Sequence, residues 1–174
     1  MYDQSVLPVP LQDRFLQHED WRWGSFTNED GARLRTGWAD PRPSSTIRAT
    51  AIALPGFGGF AEQSFELYND LLNRGIAIRH LDWNGQGGSD RYLSNSHKMH
   101  SLGCSRDVRD LHAFIHQFIE VNHDRPMFLL AHSMGANIAM RYLAERSDAV
   151  AGAFLTSPML SIRTKKAPPA VVEI

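Results

Sequence analysis

The stretch that most constrains this chain is Ala131-His132-Ser133-Met134-Gly135. Ahead of it runs Met127-Phe128-Leu129-Leu130, a short apolar segment bounded by Asp124-Arg125-Pro126. Such a segment reads as a strand buried on both faces. After it, Met134 to Arg146 places Ile138, Ala139, Tyr142 and Leu143 at helical spacing with no proline. Ser133 is therefore expected on a sharp turn between a strand and a helix. The pentapeptide is close to the G-x-S-x-G nucleophile elbow, with Ala131 in place of the first glycine. Small residues are needed two positions either side of the serine because strand and helix pack together there. The turn lifts the Ser133 hydroxyl above the sheet edge, and the N–H of Met134 points where an oxyanion would form. The competing reading is an incidental serine on a small-residue turn, since a short motif carries a false-positive risk. The rest of the chain weighs against it.

At 174 residues the chain is long enough for one domain with a sizeable core. With 43% hydrophobic and 21% charged residues it reads as globular rather than disordered. A net charge of −1 gives no support to a nucleic-acid partner. The single cysteine excludes an intrachain disulfide framework. Residues 1–13 lack a basic end followed by an apolar run, so they do not read as a signal peptide. No stretch approaches the length needed to span a bilayer.

Residues 1–18 read as an N-terminal arm, 19–160 as the folded domain and 161–174 as a tail or the start of a further region. Trp21 to Phe26 and Arg33 to Trp38 flank the turn signal Asn28-Glu29-Asp30-Gly31 and predict an antiparallel hairpin. Strands are then expected at 49–54, 76–81, 127–130 and 150–156, and helices at 64–74, 105–120 and 134–146. Gly75 is expected to end the first helix. The second has Val108, Leu111, Ile115 and Phe118 on one stripe. Alternating strands and helices from Ala49 onward predict a parallel sheet, whose sites lie at the carboxyl ends of its strands.

Two more loops fall at such ends. Leu54-Pro55-Gly56-Phe57-Gly58-Gly59 can bring backbone close to a ligand and offer a second oxyanion donor, most simply the Phe57 N–H. A rival reading takes Gly56-x-Gly58-x-x-Ala61 as a dinucleotide fingerprint with Asp82 on a ribose, but the pattern alone is weak and leaves Ser133 without a role. Asp82-Trp83-Asn84-Gly85-Gln86-Gly87-Gly88-Ser89 reads as a tight turn that shapes the pocket wall.

The order of hairpin, strand, glycine loop, helix, strand, Asp-x-x-Gly-Gln-Gly-x-Ser, helix, strand and Ala-His-Ser-Met-Gly resembles the α/β-hydrolase fold. Within it the chain is similar to the lysophospholipase L2 and monoacylglycerol lipase group of serine hydrolases, from about Trp21 to Leu160. The resemblance implies Ser133 as nucleophile, with Phe57 and Met134 supplying the oxyanion hole. It implies hydrolysis of carboxylic esters, lysophospholipids or monoacylglycerols, through an acyl-enzyme, with no cofactor and no metal. A peptidase or thioesterase on the same scaffold is the alternative, and a non-catalytic remnant is the alternative outside enzymes. The implied partner is a small-molecule or lipid ester, with no specific protein partner. The implied location is cytoplasmic, with peripheral membrane contact in the intact enzyme. Pro55, Asn84 and Ala131 depart from the group's usual His, Arg and Gly.

A larger departure concerns the triad, whose order in this fold is Ser, then Asp or Glu, then His. All eight histidines lie at or before His132. Later acids are Glu145, Asp148 and Glu173. The family's sheet has eight strands and this sequence supplies about six, so it reads as a fold truncated before the cap and the last strands.

The remaining features read plainly. His112 and His116 stand four apart on a helix, but Ala113 breaks the H-E-x-x-H zinc pattern. His97 and His100 fall in a polar loop. Cys104 reads as a small apolar filler, and Arg163 to Lys166 as a solvated basic run.

Overall fold

The computed structural model describes residues 13–42, 45–118, 125–146 and 150–161. Their secondary structure is β1 (Arg22–Thr27), β2 (Arg33–Ala39), β3 (Ala49–Leu54), α1 (Phe65–Leu72), β4 (Ile76–Leu81), α2 (Cys104–Phe118), β5 (Met127–His132), α3 (Met134–Glu145) and β6 (Gly152–Thr156). The strands form one sheet in the order β1-β2-β4-β3-β5-β6. The hairpin is antiparallel, and β2 pairs antiparallel with β4. From β4 through β3 and β5 to β6 the pairing is parallel. This is the mixed sheet that the hairpin signal and the later strand–helix alternation predict.

Side-chain alternation along the strands sorts the core into two layers. Ile52, Leu54 and Leu129 face α2 and α3, where they meet Leu111, Phe114, Ile138 and Tyr142. Ala51, Ala53 and Ile78 face α1, where they meet Phe65, Tyr68 and Leu72. Each fully buried large apolar side chain stabilises the fold by about 1.5–3 kcal/mol. Small alanines on the α1 side of β3 leave room for the aromatic rings of that helix.

β5 runs on to His132 rather than 130, since its ladder with β6 continues to the His132–Thr156 pair, while α2 starts one residue early at Cys104 and α3 ends one residue early at Glu145. Two further boundaries differ, each for a local reason. α1 is shorter than 64–74 because a 3-10 turn, Ala61–Ser64, precedes it. Its end is closed by Gly75, whose φ is +79° and whose N–H bonds Leu72 O at 3.0 Å. β6 starts at Gly152 rather than 150, since its ladder with β5 begins at the Phe128–Gly152 pair. β6 ends the sheet, and Phe154 is 62% exposed beside Phe128. Residues 1–12 of the arm, the expected helix end at 119–120 and the basic run 163–166 lie outside the described residues. Residues 13–16 of the arm dock on α1, through an Arg14–Glu66 ion pair and Asn69 Nδ2 donating to the Arg14 and Leu16 carbonyls.

α2 buries two carboxylates. Asp107 and Asp110 are each 3% exposed. Asp107 accepts a long bond from Ser101 Oγ at 3.4 Å, and Asp110 accepts one from Asn28 Nδ2 at 2.9 Å. Burial, with the neighbouring Asp110 charge, pushes the Asp107 carboxyl up to about 7. Burial likewise pushes Asp110 up to about 6, against the opposing Asn28 bond. The same helix begins at Cys104, where burial raises the thiol, the behaviour of an inert filler.

Candidate active site

The site forms where the chain changes direction across the sheet. The connection after β3 runs through α1 on one face, and that after β5 runs through α3 on the other. β3 and β5 are neighbours. Their carboxyl ends therefore open a crevice, the switch point at which parallel sheets bind ligands. The Pro55 loop leaves from one side of it and Ser133 from the other.

Ser133 has φ 52° and ψ −114°. This left-handed conformation is unfavourable for a residue with a Cβ and costs on the order of 1–3 kcal/mol. The surroundings hold it there. Ser133 N–H donates to Thr156 O at 3.0 Å. Ser133 O accepts from Ala136 N–H at 3.1 Å, Asn137 N–H at 3.2 Å and Met159 N–H at 3.1 Å. Asn137 Nδ2 then donates to Met159 O at 2.9 Å. The small residues expected on either side are required by space. Ala131 is 2% exposed. A Cβ on Gly135 would stand 2.4 Å from Leu54 O and 2.5 Å from Pro55 O.

The three sequence-predicted site residues meet at this crevice. Among the described residues, neither the Phe57 N–H nor the Met134 N–H donates a hydrogen bond, and Ser133 Oγ has no partner. A Cβ built on Gly56 would lie 3.1 Å from Ser133 Cβ, so the loop that presents Phe57 packs directly on the elbow. Residues 56–59 form a tight turn: Gly59 N–H donates to Gly56 O at 3.0 Å, and Gly58 takes φ +80°. A positive φ at the third position is the signature of a type II turn, with Phe57 at the second. The Phe57 ring is 53% exposed beside the turn.

Asp82 does not face the crevice as a ligand group. Its Oδ2 meets Arg35 Nε at 2.5 Å and accepts the Gly88 N–H at 2.9 Å. Its Oδ1 meets His80 Nε2 at 2.8 Å and accepts the Ala61 N–H at 3.3 Å. Burial pushes this carboxyl up, but the His80, Gly88 and Arg35 bonds outweigh it and hold Asp82 below the ordinary value. Every lone-pair direction is used, which removes the ribose role of the dinucleotide reading. His80, 1% exposed, is closed on its other side by Tyr68 OH at 2.6 Å. Burial keeps Tyr68 protonated well above the ordinary phenol range.

Several of the other histidines have contacts of their own. His132 is exposed, and its Nδ1 lies 3.0 Å from Thr156 Oγ1. The His100 ring packs edge-on to Tyr92 in the loop ahead of α2. His112 and His116 lie ring to ring at 4.3 Å, and no group of three or more metal-ligating side chains occurs among the described residues. His123, Asp148 and Glu173 lie outside them.

The family profile described as serine aminopeptidase, S33, matches residues 45–174. The chain belongs to that family. It is 35% identical over 153 residues to lysophospholipase L2 of Escherichia coli (strain K12), covering 88% of this chain and 43% of that protein. Among solved structures, a thermostable carboxyl esterase from Bacillus coagulans matches with a TM-score of 0.67 at 22% identity, over 79% of this chain and 44% of the esterase. The α/β-hydrolase GrgF from Penicillium matches with a TM-score of 0.65 at 23% identity, over 79% of this chain and 46% of that one. The fold of this S33-family chain is that of an α/β-hydrolase, and the chain spans less than half the length of these relatives.

Trp83 and Gln86, expected only as part of a turn that shapes the pocket wall, have specific partners. Trp83 is fully buried, and its Nε1 donates to Pro55 O at 2.8 Å. Gln86 is 2% exposed, and its Oε1 accepts the Gly58 N–H. The Gly58 N–H lies within the Phe57 turn and Pro55 O immediately ahead of it. The signal available in the sequence was a tryptophan and a glutamine, two residues with polar tips, inside a loop otherwise made of glycine and small polar residues.

Proposed function

We propose that the protein is a serine hydrolase of carboxylic esters, of lysophospholipase or monoacylglycerol lipase type. The observation that carries this reading is the left-handed Ser133, held at the head of α3 with two undonated N–H groups around it. Ser133 Oγ attacks the acyl carbonyl carbon while a histidine base takes its proton. The carbonyl oxygen gains the charge and is held by the Phe57 and Met134 N–H groups, each worth on the order of 3 kcal/mol in the transition state. Collapse expels the alcohol, which regains a proton, and leaves an acyl-enzyme that water hydrolyses.

His80 is enclosed by Asp82 and Tyr68, and no histidine follows Ser133 in the sequence. The base and acid are therefore expected outside residues 1–174, in the part of the whole protein that corresponds to the rest of lysophospholipase L2. The similarity to that enzyme supports a lipid ester substrate, met by a cytoplasmic protein in peripheral contact with a membrane. No described helix is long and apolar enough to cross a bilayer.

The family's own description favours a second reading, in which the same residues cleave an N-terminal amino acid from a peptide. The protein expressed from its complete gene separates the two. Turnover of p-nitrophenyl butyrate and lysophosphatidylcholine is expected, with amino-acid p-nitroanilides left intact. Ser133→Ala is expected to lower ester turnover by about a thousandfold or more. Turnover within tenfold of the parent would remove Ser133 as nucleophile, and cleavage of the anilides alone would select the peptidase.

A further inference from the structure

We infer that Trp83 and Gln86 are positioning residues that aim the Phe57 N–H at the reacting oxygen. This rests on the oxyanion reading above and goes one layer behind it. Three of the four residues from Gly56 to Gly59 are glycine, so the turn has little conformational restriction of its own. A donor stabilises a transition state well only when its direction is fixed beforehand. The fixing has to come from outside the turn.

The neighbouring loop supplies it. Trp83 Nε1–H holds the carbonyl of the 55–56 peptide, and Gln86 Oε1 holds the N–H of the 57–58 peptide. The Phe57 N–H belongs to the peptide between those two. The carbonyl of that same peptide, Gly56 O, is taken by Gly59 N–H at 3.0 Å. In a trans peptide N–H and C=O point oppositely, so the N–H is left aimed away from the turn.

The two side chains are themselves the corners of one tight turn, closed by Gln86 N–H donating to Trp83 O at 3.0 Å. Gly85, at φ +86°, lies inside that turn, and a Cβ there would stand 2.4 Å from His100 O. The loop is anchored below by Ser89 Oγ donating to Asp82 O at 2.7 Å and by the Asp82–Gly88 bond. Asp82 also holds Ala61 N–H, just beyond the Phe57 turn. The clamp thus runs from a rigid charged anchor, through two buried polar tips, to the backbone on both sides of the donor.

The test uses the protein expressed from its complete gene, with p-nitrophenyl butyrate as substrate and an aliphatic trifluoromethyl ketone as the probe that forms a tetrahedral oxyanion. Trp83→Phe removes only the indole donor, and Gln86→Met keeps length while losing the acceptor. Each is expected to lower kcat about ten- to hundredfold with KM within twofold, and to weaken the ketone in proportion. Gln86→Glu, which still offers an oxygen, is expected to recover most of the loss.

Phe57→Pro removes the donor itself, and proline suits the second position of a type II turn. In that background the Trp83 and Gln86 substitutions are expected to cost nothing more. Additive losses there, or unchanged kcat in both folded single variants, would overturn the positioning role. An unchanged kcat in Phe57→Pro would instead overturn the oxyanion reading. Should Trp83→Phe fail to fold, the Gln86 pair and its cycle with Phe57→Pro decide the matter alone.

Discussion

Gly135 and Leu54 approach so closely that a Cβ on the glycine would stand 2.4 Å from the Leu54 carbonyl oxygen. The contact joins the first turn of α3 to the end of β3, and it sets how near the elbow comes to the Pro55 loop. Two backbone segments meet there with no flexible side chain able to yield.

Gly135→Ala is accordingly expected to be among the most damaging single-methyl changes in this chain. Overpacking commonly costs about 1–3 kcal/mol, and here the clash is with backbone on two sides. A loss of about 3 kcal/mol by urea denaturation is expected, with the nucleophile displaced. A loss below about 1 kcal/mol would mean that α3 slides without cost.

Ser133→Gly is expected to move stability the other way. Glycine tolerates φ 52° where serine does not, and no hydrogen bond of the Ser133 side chain is lost among the described residues. A gain of about 1 kcal/mol is expected in the denaturation midpoint, net of glycine's greater freedom in the unfolded chain. Ser133→Ala keeps the Cβ and should show no such gain. Equal stability of the two would show that the turn is unstrained.

The paired carboxylates of α2 give an acid-side stability optimum. Folded values near 7 for Asp107 and near 6 for Asp110 exceed those of an unfolded chain. Between about pH 4 and 7 the folded protein thus holds protons that the unfolded chain has released, so stability falls as pH rises and levels off above that window. Asp82, held low, acts oppositely and loses its contribution only as pH drops through its depressed value. Asp107 is faced by Ser101, Tyr92 and Asp110, with the Arg106–Asp30 and Arg109–Glu29 ion pairs nearby. Asp107→Asn is expected to flatten the profile and raise Tm at pH 8 on the order of 5 °C. A Tm that climbs steadily from pH 5 to 8 in the parent would contradict this.

β6 carries the last expectation. It ends the sheet, with Phe154 exposed and neither proline nor charge within Gly152–Thr156. The polypeptide of residues 1–174 is expected to self-associate through this edge, and Phe154→Lys to reduce that association several-fold in sedimentation velocity. A monodisperse parent would show the edge to be covered.

Most of the scaffold could be read from local pattern. Asn28 to Gly31 announces the hairpin turn, Gly75 the end of α1, and the apolar run before Ser133 the strand that carries it. Each is a short-range signal in which neighbouring residues specify one conformation. That the glycine loop holding Phe57 would lie beside Ser133 was legible because both leave the carboxyl ends of strands that the alternation pattern makes parallel, and β3 and β5 are neighbours. The donor roles of Phe57 and Met134 stand as part of the proposed function. Trp83 and Gln86 were not legible, because their partners lie 28 residues earlier and the contact exists only once β3 and β4 pair. Asp107 and Asp110 were hidden differently. They stand beside Val108 and Leu111 on the inner stripe of α2, where charged residues at helical spacing look like the start of a solvated face. Asp110 is met by the hairpin turn, with Asn28 reaching it across 82 residues, and Asp107 by Ser101 in the loop ahead of the helix.

The return of the chain after β6 has a practical side. Thr156 O receives the Ser133 N–H, and Met159 N–H closes on the Ser133 carbonyl from a position 26 residues downstream. A protease nick or a grafted loop between Thr156 and Met159 would therefore untie the reactive turn itself. The exposed stretch from Ser94 to Lys98 holds no such tether and is the better place to attach a tag or a dye.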